Sequence, residues 1–159
     1  MVSCSNFQKI DYQEYKKISS LIANMNILAK DQNYCTKNII SLIEARKKQE
    51  SKYLESNQAK EVFTLEISCQ YDESISPVKH DFTASIDEIR YRVQFKLKDG
   101  KNNFLLNEEL EESDYNNIYN DELIDYSAHI DMSRKNINFI AEEIYQSVKM
   151  YFLTIYENK

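Results

Sequence analysis

The sequence is poor in residues that make tight turns and close backbone approaches: its 159 residues include one glycine, one proline and no tryptophan. A single glycine, Gly100, cannot build the glycine-rich loop that places backbone N–H groups around a phosphate. The two histidines, His80 and His129, lie far apart on different predicted elements, and no Ser/His/Asp or Cys/His pattern surrounds them. We therefore expect no catalytic residues, no metal site, no cofactor and no enzyme activity.

The sequence also lacks an apolar run long enough to cross a membrane, and its first residues lack the basic-then-apolar pattern of a secretion signal. Its three cysteines, Cys4, Cys35 and Cys69, are not spaced like metal ligands, and an odd number does not suggest a disulfide framework. We expect reduced thiols, with Cys69 as a small core residue of a strand. These observations predict a cytoplasmic protein without membrane contact.

Acidic residues outnumber basic ones, which gives a net charge of −6 at pH 7. Such a balance argues against a nucleic-acid binder. The basic stretch at 46–52 lacks interleaved aromatic residues, so we interpret it as a solvated helix end that projects from the body of the protein. A second basic row, Arg90, Arg92, Lys96 and Lys98, lies on the outer face of a predicted strand and serves to keep that face soluble.

The clearest structural signal is a two-stranded hairpin over residues 88–110. Apolar and polar side chains alternate along its first strand with the period of two that is typical of a strand with one buried face. Asp99-Gly100 then matches a two-residue type I′ turn. A turn of this length places Val93 opposite Leu106, with the apolar side chains of both strands on one face.

The rest of the chain predicts helices before and after this sheet. We expect helices at 11–30, 36–55 and 133–156, a strand at 62–71, a weaker fourth strand at 123–130, and a long connection at 72–87 with an edge strand near Phe82. We predict one α+β domain over 1–159, with an N-terminal helical region at 1–58. An antiparallel sheet of about four strands and a long C-terminal helix packed on it fill 61–159.

The last predicted helix is apolar on more than one side. Its main stripe passes through Ile137, Ile144 and Phe152, and a second set of apolar side chains lies off this stripe. A second apolar side predicts a subunit interface or a groove for a partner, or else a surface that the N-terminal helices cover within one chain. Both interpretations stay open.

The order of these elements resembles the SecB family of export chaperones and the related chaperones that serve toxin–antitoxin pairs. Residues 62–67, 88–98 and 104–109 look like three consecutive strands of the SecB sheet. Asn136-Ile137-Asn138-Phe139 falls where that family has an Asn-Ile-x-Phe entry into its main helix.

The resemblance implies a SecB-like chaperone that forms a homodimer or tetramer and binds an unfolded or aggregation-prone polypeptide. The client could be the antitoxin of a toxin–antitoxin system in phage defence. Such a protein offers apolar surface and a sheet edge to an extended client and performs no chemistry. Ordinary core packing is the alternative interpretation for each candidate partner-binding residue. The candidates are Tyr115, Ile118, Tyr119, Tyr126, Phe139, Met150, Leu153 and Tyr156.

The strongly acidic stretch at 108–125 favours a second hypothesis. It lacks the Asp-x-Asp-x-Asp-Gly pattern of a calcium loop. We therefore interpret the stretch as a solvated, mobile face. Its carboxylates could instead dock on a basic surface, because charge complementarity steers such encounters. In that case the protein is a small acidic inhibitor or immunity-type protein, of phage or mobile-element origin, that binds a basic effector such as a nuclease.

Overall fold

The computed structural model describes residues 12–52, 61–77, 85–118 and 122–157. The strands of these segments form one sheet in the order β1-β2-β3-β4, in which β1 and β2 are parallel and the other two pairs are antiparallel. The predicted α+β class is confirmed, but the sheet is mixed rather than wholly antiparallel. The elements are α1 (Tyr12–Ala23), β1 (Asn26–Ala29), α2 (Tyr34–Ser51), β2 (Thr64–Pro77), β3 (Ser85–Lys98), β4 (Phe104–Ile118) and α3 (Glu122–Glu157).

The sheet has an apolar inner face and a charged outer face, because successive side chains of a strand point to opposite sides. Leu65, Ile67, Val93 and Phe95 of the inner face are fully buried. Helices α2 and α3 pack on this face, and α1 packs on α2 and α3. The helices complete one apolar core with residues that include Ile18, Ile22, Ile39, Ile43, Ile140, Ile144, Val148 and Phe152.

The N-terminal region contains a strand where the sequence pattern predicts only a helix. The predicted helix at 11–30 ends at Ala23, and β1 follows it. The side chain of Asn24 donates a hydrogen bond of 2.8 Å to the carbonyl oxygen of Ser20, a local bond that competes with continuation of the helix. The four residues of β1 then pair with the first part of β2.

The predicted fourth strand at 123–130 is wrong, because these residues form the first part of α3. Ser133, the predicted first residue of the last helix, lies inside α3, and its hydroxyl hydrogen-bonds the hydroxyl of Tyr91 over 2.7 Å. Helix α2 begins at Tyr34, before the predicted start at residue 36. The fourth strand of the sheet is therefore β1, which precedes the other three strands in the chain.

A loop longer than predicted joins β3 and β4. The carboxylate of Asp99 accepts hydrogen bonds from the backbone N–H groups of Lys101 and Asn103, over 2.8 and 2.9 Å. Asn102 has a φ of 64°, a conformation that asparagine tolerates better than most residues. The Asp99 side chain thus replaces the hydrogen bonding of a two-residue turn with that of a wider loop.

The wider loop moves the pairing of β4 along β3. Val93 lies opposite Leu110 rather than opposite Leu106, and the register is irregular between Leu97 and Lys98. The predicted register is therefore wrong. The displacement from Leu106 to Leu110 is an even number of residues, so the two leucines keep the predicted face toward the helices.

The strands extend beyond their predicted ends. β2 continues to Pro77 and β3 begins at Ser85, so most of the predicted connection at 72–87 is strand, and Phe82 lies outside the described residues. β4 reaches Ile118, and α3 begins at Glu122. The acidic stretch at 108–125 is therefore largely regular structure rather than a mobile face.

The basic second half of α2 packs partly against its neighbours, although its last residues are exposed as expected. Lys47 Nζ donates a hydrogen bond of 2.8 Å to the carbonyl oxygen of Met25, just after α1. Arg46 forms an ion pair with Glu142 of α3. These contacts use the charges of the basic stretch within the protein, which supports a structural role for them.

Glu50 connects all three helices. One carboxylate oxygen accepts hydrogen bonds from the Tyr145 hydroxyl (2.6 Å) and Lys149 Nζ (3.0 Å), and the other accepts one from the Ser19 hydroxyl (2.9 Å). Burial raises the pKa of Glu50, but the hydrogen bonds from Tyr145, Lys149 and Ser19 lower it by more, so the pKa lies below its ordinary value. Glu50 therefore holds α1 and α2 against α3 as a carboxylate.

Candidate functional site

A disulfide joins Cys35 at the start of α2 to Cys69 in β2, with Cα atoms 5.9 Å apart. Both residues are buried. The expectation of reduced thiols is wrong for this pair, because helix packing brings together two cysteines that are 34 residues apart in sequence. The sequence correctly indicates that Cys69 faces the core, but it does not reveal the partner.

Beyond the end of β1, polar side chains hydrogen-bond the backbone of β2. The backbone N–H of Cys69 donates to Asp31 Oδ2 (3.1 Å) and to Thr36 Oγ1 (2.9 Å). Asn33 Nδ2 donates to the carbonyl oxygen of Cys69 (3.0 Å). Thr36 in turn donates to Asp31 Oδ1 (2.6 Å). These bonds satisfy backbone groups that would otherwise be unpaired and fix the first turn of α2 beside the sheet.

Next to these hydrogen bonds lies a groove of about 800 Å³ between the start of α2, the first half of α3 and the sheet. We call it the α2–α3 groove. Such a volume lies within the range of small-molecule sites. Cys35 of the disulfide forms part of its wall. Its polar lining residues are Asn33, Asn38, Ser41, Ser133, Arg134 and Asn138. Its aromatic and aliphatic lining residues are Tyr34, Leu42, Tyr71, Tyr91, Ile130 and Ile137.

Two tyrosines of adjacent strands form the sheet side of the groove. The rings of Tyr71 and Tyr91 lie 5.5 Å apart, and Tyr91 is buried whereas Tyr71 is half-exposed. Burial raises the pKa of the Tyr91 phenol, against the opposing effect of its hydrogen bond with Ser133. Tyr91 is therefore neutral at physiological pH and fixes the Ser133 hydroxyl rather than activating it as a base would.

The side chains of the lining that the structure describes include no carboxylate and one cation, Arg134. The guanidinium of Arg134 lies 4.0 Å from the carboxylate of Asp131, so part of its charge is compensated. Over the ranges that the structure describes, no group of three or more His, Cys, Asp or Glu side chains is placed to hold a metal ion. The groups present are suited to hydrogen bonding and to contact with flat apolar surfaces.

The predicted partner-binding residues are spread over the molecule rather than gathered in this groove. Tyr115 is exposed on β4, and Phe139 and Met150 are exposed on α3. Leu153 packs partly against the core. Ile118 belongs to β4, Tyr126 and Tyr156 belong to α3, and Tyr119 lies outside the described residues. Their role in partner binding stays a prediction.

Comparison with solved structures identifies proteins of the same fold. A protein of Caulobacter crescentus CB15 described as a lipoprotein superimposes with a TM-score of 0.58 at 13% identity, over 87% of this chain and 98% of that one. A minor lipoprotein of Acinetobacter baumannii gives 0.56 at 12% identity, over 82% and 95%. The rare lipoprotein B of Shewanella oneidensis gives 0.51 at 13% identity, over 82% and 97%.

No protein-family model matches the sequence. No curated protein matches it either. At identities this low the structural likeness establishes the fold and leaves the function to be inferred from the residues of this chain.

These comparisons correct the resemblance stated from the sequence. The chain shares its fold with proteins described as lipoproteins and not with SecB chaperones, so the SecB-like fold and the chaperone function, including the toxin–antitoxin role, are wrong. The alternative of an acidic inhibitor gains no support from them. The expected cytoplasmic location is also wrong, because these three solved structures are described as lipoproteins and a buried disulfide is typical of oxidising compartments.

Proposed function

We propose that this chain is the folded domain of a lipoprotein that works outside the cytoplasm, at a membrane surface, and that it acts by binding. The disulfide between Cys35 and Cys69 carries this proposal. Structural disulfides persist in secreted and periplasmic proteins and are rare where thiols are kept reduced. The lipoproteins that share the fold support the same location.

Cys4 is the residue that would carry the lipid. Pairing of Cys35 with Cys69 leaves Cys4 as the one cysteine of the sequence outside this disulfide. An odd cysteine in an extracytoplasmic protein suggests a bond to another molecule or a reactive thiol. Small residues, Ser3 and Ser5, flank Cys4 in the sequence. More than one acyl chain would be required, since a single chain gives only marginal, reversible membrane binding.

No helix in the described ranges is both long enough and apolar enough to cross a membrane. In this proposal membrane contact replaces the expectation of no membrane, and it comes from the lipid on Cys4. The α2–α3 groove supplies the binding surface, and the lining residues that the structure describes include no paired nucleophile and base. The protein partner and the homo-oligomer remain predictions from the sequence.

Metabolic labelling of the cells that make this chain from its own gene tests the proposal. With an alkyne fatty acid we expect label on the wild-type chain, recovery of that chain in the membrane fraction, and loss of both in Cys4→Ser. Cys35→Ser is the matched control, because it removes a cysteine but leaves Cys4 in place. An unlabelled wild-type chain, or a Cys35–Cys69 pair that acid-quenched cells hold in the reduced form, would contradict the proposal.

A further inference from the structure

The α2–α3 groove has a lining that selects by charge. Among the side chains that the structure describes, no carboxylate lines it, so these side chains offer no counter-ion to a basic ligand. Arg134 is the one cation of this described lining, and a single cation that lies 4.0 Å from Asp131 does not balance a multiply charged anion. In a protein of net charge −6, this favours a ligand without net charge.

The amide side chains of the groove exclude a wholly apolar ligand. Asn38 of α2 and Asn138 of α3 both line the groove, where Asn38 is half-buried and Asn138 is exposed to water. An apolar ligand would remove these amides from water without replacing their hydrogen bonds, which costs roughly 1–3 kcal/mol for each group. Each amide offers two donors and an acceptor, a set that pairs with neighbouring hydroxyl groups acting as both acceptor and donor.

The aromatic rings of the groove supply the remaining recognition. Tyr34 is 77% exposed and Tyr71 is 45% exposed, so their rings are accessible beside the polar groups. The faces of aromatic rings carry partial negative charge and attract weakly positive C–H groups. Sugar rings present such C–H groups on their faces and hydroxyl groups around their edges.

We propose that the α2–α3 groove binds a neutral oligosaccharide, with Tyr34 and Tyr71 contacting sugar faces and Asn38 and Asn138 pairing with hydroxyl groups. This inference deepens the binding role stated above by naming the class of ligand, and it does not depend on acylation of Cys4. A neutral peptide has hydrogen-bonding groups of similar polarity but lacks rigid rings with C–H faces. We therefore use a peptide as the competing probe.

Calorimetric titration of the full-length Cys4→Ser chain, which keeps the disulfide, tests this inference without a membrane. The probes are chitotetraose, maltotetraose and a blocked glycine-serine peptide of matched length. We expect at least one of the two oligosaccharides to bind, and the peptide to bind at least ten-fold more weakly. Failure of both oligosaccharides, or equal binding of the peptide, would overturn the assignment.

Two groove variants test whether the oligosaccharide binds in the α2–α3 groove. Tyr34→Ala and Asn138→Ala should each weaken oligosaccharide binding about ten-fold, and both residues are exposed enough to leave the core intact. Tyr12→Ala and Asn107→Ala make the same substitutions at exposed positions outside the groove and should not change binding. Urea unfolding of each variant checks that the fold is retained. Binding that is equally sensitive to both sets contradicts the groove as the site.

The two proposals fail separately. If fatty-acid labelling fails while chitotetraose binds the groove, the lipid anchor is wrong and the ligand class stands. If labelling succeeds while neither oligosaccharide binds, the anchor stands and the ligand class is wrong.

Discussion

At one edge of the sheet β1 is four residues long, whereas at the other edge β4 runs for 15 residues with no further strand beside it among the described residues. Beyond β1, the side chains of Asp31, Asn33 and Thr36 hydrogen-bond the backbone of Cys69, and the disulfide fastens α2 to the same residue. We call this side the closed edge. β4, the open edge, has neither device.

The open edge is protected by charge instead. β4 contains five acidic side chains and no basic one, and two copies of it pairing edge to edge would bring like charges together. Three of these acids have partners: Glu109 with Gln94, Glu111 with Arg90 and Asp114 with Lys135. The closed edge therefore relies on covalent and hydrogen bonds that stabilise the fold, and the open edge on repulsion that prevents association.

The largest expected effect comes from removing the disulfide of the closed edge. The double variant Cys35→Ala/Cys69→Ala should lose roughly 3–4 kcal/mol of unfolding free energy, as expected for a loop of this length. Urea unfolding without reductant measures the loss, and wild-type protein under reducing conditions should approach the variant. Cys4→Ser is the matched control and should unfold like wild type. Equal stability of oxidised and reduced wild-type protein would show that the bond contributes nothing.

The next effect concerns Glu50, which holds the helices above the closed edge against α3. Glu50→Ala should cost about 2–3 kcal/mol, because it leaves Lys149 and the Tyr145 hydroxyl without their acceptor. Glu142→Ala removes an ion pair with Arg46 that is more exposed and should cost at most about 1 kcal/mol. Chemical denaturation of both variants makes the comparison, and equal losses would contradict the special role of Glu50.

The contribution of Glu50 should also depend on pH. Its pKa in the folded protein lies below the ordinary value of 4.5, because hydrogen bonds from Tyr145, Lys149 and Ser19 outweigh the effect of burial. A carboxylate of this kind stabilises the fold above its unfolded pKa and loses that contribution as pH falls through the folded pKa. The difference in stability between wild type and Glu50→Gln should therefore be constant near neutral pH and shrink below pH 4.5. A difference that grows on acidification would contradict this sign.

A smaller effect is expected for the hydrogen bonds that continue β1. Asp31→Ala should destabilise the protein by about 1–2 kcal/mol, because it removes acceptors for the N–H groups of Cys69 and Asn33 and for the Thr36 hydroxyl. Asp72→Ala is the control, since Asp72 is exposed and its ion pair with Arg92 is 3.5 Å long. Hydrogen exchange should show reduced protection at the amide of Cys69. Unchanged protection there would show that the hydrogen bonds of Asp31 are dispensable.

The smallest effect on stability and the clearest effect on association should come from the open edge. Replacing Glu108, Glu109, Glu111 and Glu112 by glutamine should change stability by only about 0.5 kcal/mol per exposed site. The variant should nevertheless self-associate more than wild type at equal concentration, as sedimentation velocity would detect. The same number of Glu→Gln changes on the helices, at Glu14, Glu44, Glu142 and Glu143, controls for net charge. Equal association of the two variants would mean that the acidic side chains of β4 do not prevent association at the open edge.

The central strands could be predicted from the sequence because alternation records which face is buried, and β2, β3 and the inner residues of β4 followed it. The closed edge could not. β1 consists of Asn26–Ala29, too short to show a period, and it exists because β2 offers it a parallel partner distant in sequence. The register of β4 depends on hydrogen bonds to the carboxylate of Asp99, and the Asp99-Gly100 dipeptide does not predict those bonds.

The candidate groove was even less accessible to sequence reasoning. Its residues come from the start of α2, the first half of α3 and two strands. Helix packing alone brings Tyr34, Asn138 and Tyr71 to one place. A local signal for the groove is the polar run Asp31-Gln32-Asn33-Tyr34, which lies between the predicted helices at 11–30 and 36–55. The disulfide had no local signal, because 34 residues separate its cysteines.

The Asp99 loop has a consequence for how this protein can tolerate change in length. Insertions or deletions of two residues at the hairpin tip would slide β4 along β3 and still direct Leu106 and Leu110 toward the helices. A change of one residue would turn the strand over and present those leucines to water. Among homologues, lengths of this loop should therefore differ in steps of two, unless a bulge elsewhere in the strand restores the phase.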